Sequence, residues 1–333
     1  MRISTLFRGS VLAVLASLLA GCNQLVLLNP AGDMAAQKGQ LIIIATVLML
    51  LIVLPVIFFI FLFAWRYRQG SQHAETDYAP DWDHSTRLEL LIWAAPLAII
   101  IALGALTWIT THKLDPYRPL DRISADMALP ANVTPLEVEV VSLDWKWLFF
   151  LPEQGIAVVN ELAAPVNRPI HFKLTSSSTM NAFYVPDLAG MIYTMPGMQT
   201  ELHAVINEAG EYRGMSSHYS GEGFSGMTFK FHGLSNDDFD KWIEQAKAEG
   251  TALTRDAYLA LAKPSSRDPV QRFASFDDGL YNRIMNICVE DGQMCMDDMM
   301  MRDAHRNHAH RTGQTLEKLA EQDICTTDMP IFE

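Results

Sequence analysis

Two long apolar runs dominate the pattern of hydrophobic and polar residues along the chain. Residues 41–65 contain no charged side chain, and residues 88–109 contain one, Glu89, near the start of the run. Because about 20 apolar residues suffice to cross the hydrocarbon core of a bilayer, each run predicts a transmembrane helix. Trp65 and Trp108 lie near the ends of these runs, where amphipathic rings favour the membrane interface.

A shorter apolar run, residues 11–19, precedes these helices and follows Arg2 and Arg8. A basic start, a short apolar run and small residues before a processing point are typical of a secretory signal peptide. The ending Leu-Ala-Gly-Cys resembles a bacterial lipobox, which implies that Cys22 becomes a lipidated N-terminus. Lipidation at two points gives stable membrane anchoring. Ordinary cleavage nearby, with Cys22 unmodified, is the alternative.

The orientation of the two helices follows from the lipid on Cys22. A lipidated Cys22 lies outside the cytoplasm, so residues 66–87 form a cytoplasmic loop and the chain after the second helix is exported. Arg66, Arg68 and Arg87 in this loop agree with the excess of basic residues on the cytoplasmic side of membrane proteins. We therefore expect a multi-pass, lipid-anchored protein of a bacterial inner membrane with its C-terminal domain in the periplasm.

From about residue 135 the long apolar runs give way to alternation. Apolar residues two apart, the period of a half-buried strand, recur in four segments, residues 136–141, 170–176, 200–206 and 227–233. Proline and glycine separate these segments. Several short strands with such turn signals predict a β-sandwich or barrel.

The C-terminal part combines helical spacing with clustered sulfur and imidazole side chains. Residues 236–261 have helix spacing with acidic residues early. Met, Cys and His cluster in residues 288–310, which favours either a flexible contact arm on a partner subunit or, as the alternative, copper binding. Cys288, Cys295 and Cys325 allow one disulfide with a leftover thiol in an oxidising compartment, but the sequence does not decide which pair forms.

Charge and the remaining composition narrow the class of protein. The net charge of −13 is typical of a soluble exported part and disfavours nucleic-acid binding. The sequence contains no internal repeat, catalytic triad or phosphate-binding glycine loop.

The ordered motifs of the middle of the chain resemble a known family. Two apolar helices are followed by DWKWLFF at residues 144–150, NAFYVPDL at 181–188 and GEYRGMSSHYSGEGFSGM at 210–227. This order resembles subunit II of the haem-copper terminal oxidases. The resemblance implies a membrane-anchored α+β protein, in which a two-helix transmembrane hairpin precedes a cupredoxin-like β-barrel or sandwich and a mainly helical C-terminal arm.

The family's cytochrome c oxidases carry a dinuclear copper centre, Cu-A, in the β-domain. Bridging thiolates, imidazoles and a thioether suit such a centre because copper prefers soft and borderline ligands. The positions that match the family's site are Asn181, Ser216, His218, Ser220, Phe224 and Met227. Only the Met matches the family pattern, so the resemblance implies that this loop binds no metal. Trp145, which matches the tryptophan through which those oxidases accept electrons, is interpreted as core or interface packing.

Loss of these ligands with retention of the fold resembles the quinol-oxidising branch of the family. The resemblance implies subunit II of a proton-pumping ubiquinol oxidase, which holds no cofactor and has no catalytic centre of its own. The haems and the oxygen-site copper are then expected in subunit I. The expected partners are subunit I, other small membrane subunits, ubiquinol as substrate of the complex and membrane lipid, but neither nucleic acid nor cytochrome c. The alternative is a free-standing periplasmic lipoprotein that binds copper through its Met- and His-rich tail.

Glu89 has two interpretations. The spacing Thr86-x-x-Glu89 fits a capping box, in which the threonine caps the helix and the glutamate bonds back to it. A carboxylate within a membrane span is also a functional candidate, and in the family a glutamate at this place lies at the cytoplasmic entrance of the K-type proton pathway. Both roles are compatible with one side chain.

These interpretations divide the chain into eight segments. They are a signal peptide (1–21), a lipidated segment (22–40), the first transmembrane helix (41–65), a cytoplasmic loop (66–87), the second transmembrane helix (88–109), a linker (110–124), the periplasmic cupredoxin-like domain lacking Cu-A (125–233) and the C-terminal arm (234–333).

Overall fold

The computed structural model describes residues 26–69 and 81–312, with side chains described as far as residue 306. The signal peptide, Cys22 and Cys325 therefore lie outside the described residues, as does most of the loop between the first two helices.

Two long helices open the described chain. Helix α1 spans Asp33–Arg66 and helix α2 spans Thr86–Lys113. Their most apolar stretches have mean hydropathies of 3.2 and 2.4, so both are long and apolar enough to cross a membrane. The two helices contact each other. Each helix also includes polar residues at its ends and is therefore longer than the apolar run that predicted it.

Short strands form most of the remaining fold. The strands are β1 (Arg122–Ser124), β2 (Met127–Ala128), β3 (Leu136–Leu143), β4 (Lys146–Leu151), β5 (Ile156–Val159), β6 (Glu161–Pro165), β7 (Ile170–Ser176), β8 (Asn181–Tyr184), β9 (Ile192–Thr194), β10 (Thr200–Ala204), β11 (Gly210–Ser216), β12 (Thr228–Leu234), β13 (Thr251–Leu253) and β14 (Gln271–Phe276). The four segments with alternating apolar residues correspond to β3, β7, β10 and β12, although β10 ends at Ala204 and β12 begins at Thr228.

The strands form two larger sheets and a small hairpin. A seven-stranded sheet has the order β10-β7-β3-β4-β5-β14-β13, a five-stranded sheet has the order β6-β12-β11-β8-β9, and β1 pairs with β2. Most pairs are antiparallel, but β3 with β7, β6 with β12 and β13 with β14 are parallel. The predicted β-sandwich behind two apolar helices is confirmed.

Aromatic side chains fill the space between the two sheets. Phe183 from the five-stranded sheet stacks on Phe229 with ring centroids 5.4 Å apart. From the seven-stranded sheet, Trp147 and Phe149 approach the same rings, and the Phe149 to Phe229 separation is 5.0 Å. Aromatic pairs contribute about 0.5–1.5 kcal/mol beyond the area that they bury. This core fixes the face-to-face packing of the sheets.

The C-terminal part covers the opposite face of the seven-stranded sheet and, through its first helix, also packs against the inter-sheet core. It contains helices α3 (Asn236–Glu249), α4 (Arg255–Leu261), α5 (Leu280–Met285) and α6 (Met296–Thr312). Phe150 on β4 packs against Phe276 and Tyr281 with ring centroids 5.1 and 6.3 Å apart. Strand β4 is therefore buried on both faces, which explains its continuous apolar sequence.

Both ends of the helix pair are attached to the sandwich. Before α1, the Gly32 amide donates to the carbonyl of Asp187 at 2.8 Å, and the Asn207 amide donates to the carbonyl of Ala31 at 2.9 Å. After α2, the carbonyl of Pro116 accepts a hydrogen bond from the His203 amide at 3.1 Å. The chain is thus connected to the sandwich at two separate points.

A buried ion pair strengthens the attachment of α1. Asp33, only 6% exposed, receives two hydrogen bonds of 2.9 Å from the guanidinium of Arg122 on β1. Gln37, one turn further along α1, donates to the same carboxylate at 2.8 Å. Because both carboxylate oxygens are engaged, the first turn of α1 has a fixed position against β1.

Candidate functional site

The sequence places its candidate site at the junction of β8, β11 and the loop before β12. Asn181 begins β8 and Ser216 ends β11, and these strands pair at Ser216 with Phe183 and at Met215 with Tyr184. The chain then crosses residues 217–227, including a short turn of 3-10 helix at Phe224–Gly226, before β12 starts. Strand pairing therefore brings the upstream and downstream halves of the site together.

A network of neutral hydrogen bonds occupies the buried end of this site. Asn181 and Ser216 are 1% and 4% exposed. Ser216 Oγ lies 3.2 Å from two acceptors, Asn181 Oδ1 and the carbonyl oxygen of His218. Asn181 Nδ2 donates to the carbonyl of Thr179 at 3.2 Å. Buried polar groups need such partners because an unpaired one costs about 1–3 kcal/mol.

The other four matched positions have separate environments. Met227 is buried in the inter-sheet core, and its carbonyl accepts the Ser216 amide at 3.1 Å. His218 meets the Tyr193 ring edge-on, with centroids 5.8 Å apart. Phe224 packs against Tyr219, and its phenyl ring has no atom that could bind a metal. The Ser220 hydroxyl is buried and makes no hydrogen bond with any described residue.

Trp145 is held directly on this loop. Its indole N–H donates to the carbonyl of Ser220 at 3.0 Å, and its backbone has the left-handed φ of 67°. Gly223 and Gly221 lie against the ring, so close that a Cβ at Gly223 would overlap the indole. The half-buried ring thus packs between the core and the loop, in agreement with the packing role inferred from the sequence.

These side chains do not fit a two-copper centre. A bridged copper pair needs two thiolates, whereas the matched positions supply the hydroxyls of Ser216 and Ser220. Asn181 offers a neutral amide that is already hydrogen-bonded, and the phenyl ring of Phe224 has no donor atom. His218 and Met227 do carry groups that copper binds, but a lone imidazole and thioether cannot bridge two ions.

Glu89 is not part of a capping box, so that interpretation is wrong. Helix α2 has Ser85 as its N-cap, which places Thr86 inside the helix, and the Glu89 amide donates to the Ser85 carbonyl at 3.0 Å. No side-chain capping bond forms at this end among the described residues. The Glu89 carboxylate lies 3.5 Å from His84 Nε2 and is 53% exposed. The side chain is therefore accessible at the helix start, where the helix dipole favours a negative charge.

A charged cluster beside the sandwich was not anticipated from the sequence. Glu161 on β6 accepts hydrogen bonds from Arg272 on β14 at 2.9 and 3.2 Å, and from His232 on β12 at 3.2 Å. The indole N–H of Trp242 on α3 lies 3.4 Å from the same carboxylate. Burial alone would raise the pKa of Glu161, but the bonds from His232 and Arg272 lower the pKa to about 2. The cluster joins both sheets to the C-terminal part.

The fold defines a class of protein in which a pair of apolar helices carries a cupredoxin-like β-sandwich. Sequence relatives show the family. The chain is 48% identical over 269 residues to cytochrome bo(3) ubiquinol oxidase subunit 2 of Pseudomonas putida, covering 81% of this chain and 82% of the relative. It is 48% identical over 270 residues to ubiquinol oxidase subunit 2 of Acetobacter aceti, covering 81% and 84%. The chain belongs to the ubiquinol oxidase subunit 2 family.

Further similarities cover parts of the chain. Residues 247–292 match the family described as COX Aromatic Rich Motif. The periplasmic domain of cytochrome oxidase subunit II from Bradyrhizobium japonicum matches 37% of this chain and 98% of its own, with 22% identity and a TM-score of 0.34. A chain of a heme-copper terminal oxidase dimer matches 44% of this chain and 100% of its own, with 15% identity and a TM-score of 0.34. The family assignment rests on the sequence relatives.

The structure adds features of the C-terminal part that the sequence interpretation missed. Strands β13 and β14 join the seven-stranded sheet through the pairing of β14 with β5. The predicted helical spacing of residues 236–261 corresponds to α3 and α4, with β13 between them. Of the possible disulfides, the structure contains Cys288–Cys295. The aromatic residues of the matched motif, which include Phe273, Phe276 and Tyr281, were the available signal for this sheet extension.

Proposed function

We propose that this chain is subunit 2 of a proton-pumping ubiquinol oxidase and that it contributes structure and proton access rather than a redox centre. The observation that supports the absence of a redox centre is the neutral Asn181 to Ser216 hydrogen bond at the matched copper site. A soluble electron donor outside the membrane needs a metal relay in the exported domain, whereas a quinol delivers electrons within the membrane. A sandwich without thiolates therefore suits a quinol-oxidising complex.

The β-sandwich then has an orienting role. Its attachment before α1 and after α2 fixes it over the helix pair, as the hydrogen bonds of Gly32 and Pro116 indicate. Haems and the oxygen-site copper belong to subunit I in this proposal, and this chain binds neither. Subunit I and other small membrane subunits are its partners, while cytochrome c is not.

The membrane placement follows the same proposal. Helices α1 and α2 span the inner membrane of a bacterium, with the sandwich in the periplasm and the loop between the helices in the cytoplasm. Cys22, outside the described residues, carries the lipid after signal-peptide cleavage. Mass spectrometry of the mature N-terminus tests this point, since an unmodified Cys22 would remove the lipid anchor.

Activity and metal content of the assembled complex test the function. The complex captured through a tag on this chain should contain haem and a single copper ion, and it should consume oxygen with ubiquinol but not with reduced cytochrome c. Two additional copper ions together with cytochrome c activity would overturn the proposal. A haem-free isolated protein with bound copper would instead favour the free-standing lipoprotein.

Glu89 is proposed to collect protons at the entrance of the K-type pathway. Its carboxylate is accessible beside His84 at the cytoplasmic end of α2. Glu89→Ala should slow oxygen consumption severalfold with haem content unchanged, whereas Asp83→Asn, which neutralises an exposed carboxylate nearby, should not. Wild-type turnover of a fully assembled Glu89→Ala complex would refute this role.

A further inference from the structure

Six half-buried polar residues form two rows on the outer face of the seven-stranded sheet, where helix α5 contacts β7. Strands β3, β7 and β10 run side by side there. Their registers align Glu137 with His171 and His203 in one row, and Glu139 with Lys173 and Glu201 in the next. All six point away from the inter-sheet core, because they alternate with fully buried apolar residues along each strand.

Two imidazoles and a carboxylate converge at the edge of this face. The rings of His171 and His203 are stacked, with centroids 4.3 Å apart and planes 9° apart. His171 Nε2 lies 3.0 Å from Glu201 Oε2. One potential ligand atom from each of the three side chains lies within 4.8 Å of the other two. Three donor groups are thus close together in one half-buried patch.

The donor types suit a borderline divalent cation. Two histidine nitrogens and one carboxylate are an established ligand set for Zn²⁺, with a water or other small ligand in the fourth position. Zinc bonds of about 2.0–2.2 Å place tetrahedral ligand atoms about 3.3 Å apart. The ligand atoms, now within 4.8 Å of one another, therefore have to approach by up to about 1.5 Å to bind an ion. The backbone positions are already set by the direct pairing of His171 with His203 across two strands.

Glu137 is placed to orient His171. Its Oε1 lies 3.9 Å from His171 Nδ1, on the side of the ring opposite the nitrogen that faces Glu201. Metal-binding histidines commonly donate their second N–H to a carboxylate, which fixes the ring and raises its basicity. A small rotation brings this pair into hydrogen-bond range. Glu137 is itself positioned by Lys173, whose Nζ lies 3.1 Å away.

The ammonium group of Lys173 donates a hydrogen bond to Glu137 Oε1 at 3.1 Å. Glu201 Oε2 instead faces His171 Nε2 at 3.0 Å. Glu201 stands opposite Lys173 in the register, but its carboxylate is hydrogen-bonded to the imidazole of His171. The carboxylate is therefore available to replace this hydrogen bond by a bond to a cation.

We propose that His171, His203 and Glu201 form a binding site for a divalent transition-metal ion, with Zn²⁺ as its representative ligand and Glu137 as the positioning residue. The ion joins the edge strand β10 to β7 from the outside of the sandwich. This site is separate from the emptied copper position, which lies at the junction of β8 and β11. The proposal is independent of the route by which electrons reach the oxidase.

Zinc titration of the full-length chain in detergent tests the proposal. The chain is stripped with a chelator and titrated with Zn²⁺ against a chromophoric competitor. His203→Gln and the isosteric Glu201→Gln should each lose one equivalent of bound Zn²⁺ or bind it at least tenfold more weakly. His218→Gln removes an imidazole outside the cluster and should leave that equivalent intact. Unchanged stoichiometry and affinity in both cluster variants would overturn the proposal.

Two further measurements separate loss of the site from loss of the fold. Without metal, the variants should melt at the wild-type temperature, and added Zn²⁺ should raise only the melting temperatures of the wild type and His218→Gln. X-ray absorption at the zinc edge of the wild type with one equivalent bound should show two imidazoles and oxygen donors. A first shell that contains sulfur, or a single imidazole, would place the ion elsewhere and refute the assignment even if the variants failed to fold.

Discussion

Replacing Arg272 by Met should destabilise the junction between the sandwich and the C-terminal part. The substitution keeps an apolar stem of similar length but removes the guanidinium that bonds Glu161 and, at 2.7 Å, Glu249. The Glu161 side chain is 10% exposed. Removing one member of a buried ion pair leaves the other without compensation, which costs up to about 3–5 kcal/mol.

The pKa of Glu161 sets the size of the expected effect. The value falls from an ordinary 4.5 to about 2 against the opposing effect of burial, through bonds from His232 and Arg272. At about 1.4 kcal/mol per pH unit this shift corresponds to about 3.5 kcal/mol. Because His232 is retained and the Arg272 end of the cluster reaches solvent, we assign about 2 kcal/mol to the guanidinium.

The same shift fixes the pH dependence. A carboxyl group with a lowered pKa in the folded state stabilises the protein above its unfolded pKa, and this stabilisation is lost as the pH falls. For Glu161 the loss should occur between about pH 4.5 and pH 2. Arg272→Met should show a weaker loss in this range because its Glu161 has a less depressed pKa.

Thermal unfolding of the full-length chain in detergent measures the effect. A loss of about 2 kcal/mol corresponds to a melting temperature about 4–8 °C lower for a domain of this size. Arg168→Met is the matched control, since Arg168 pairs with Glu153 at 2.9 Å but the two side chains are 28% and 35% exposed. Exposed pairs contribute only about 0–1 kcal/mol.

A double variant tests the coupling between Arg272 and Glu161. In Arg272→Met with Glu161→Gln no charge is left buried, so part of the lost stability should return. Equal melting temperatures of Arg272→Met and Arg168→Met would refute the predicted loss of stability in Arg272→Met. A double variant whose loss equals the sum of the two single losses would refute the coupling.

Two other substitutions test features of the fold. Arg122→Met should cost about 2–4 kcal/mol in local stability because Asp33 is buried and bonded at both oxygens. Amide hydrogen exchange at the start of α1 should therefore accelerate. Unchanged exchange would contradict the role of this ion pair in attaching α1. Gly223→Ala should cost about 1–3 kcal/mol because the added methyl overlaps Trp145, although the φ of −85° suits any residue. Its control is Gly104→Ala, where the new methyl meets no described atom of this chain within 4 Å, and equal proteolysis of the loop before β12 in both variants would show that the overlap is absent.

The sequence predicted the regular parts of the fold because those parts have simple periods. Long apolar runs identified α1 and α2, and alternation identified the strands with one exposed face. Strands β4 and β14 lack such a period, because the residues that pack against them lie in distant parts of the chain. Phe150 is buried by Phe276 and Tyr281, more than a hundred residues later. Periodicity alone cannot reveal such a second layer.

The candidate sites also differ in how far the sequence alone could reveal them. Motif order was sufficient to match Asn181 and Ser216 as one site, and the structure joins them by a hydrogen bond. The cluster of His171, His203 and Glu201 depends on strand register across two strands, so the separate segments that contain these residues give no sign of it. The capping interpretation of Glu89 was wrong because Ser85, and not Thr86, is the N-cap residue of the helix. A shift of the N-cap by one residue was enough to exclude the capping box.

The two attachments of the helix pair to the sandwich have a mechanical consequence. A domain joined to its anchor through one flexible linker can swivel, and its height and tilt above the membrane vary. Here Gly32 just before α1 and Asp33 in its first turn hold the sandwich at one point, while Pro116 holds it after α2. Two points of support remove most of this rotational freedom. The sandwich therefore presents one constant surface to its surroundings, and any force that tilts the helices is transmitted to it as torque.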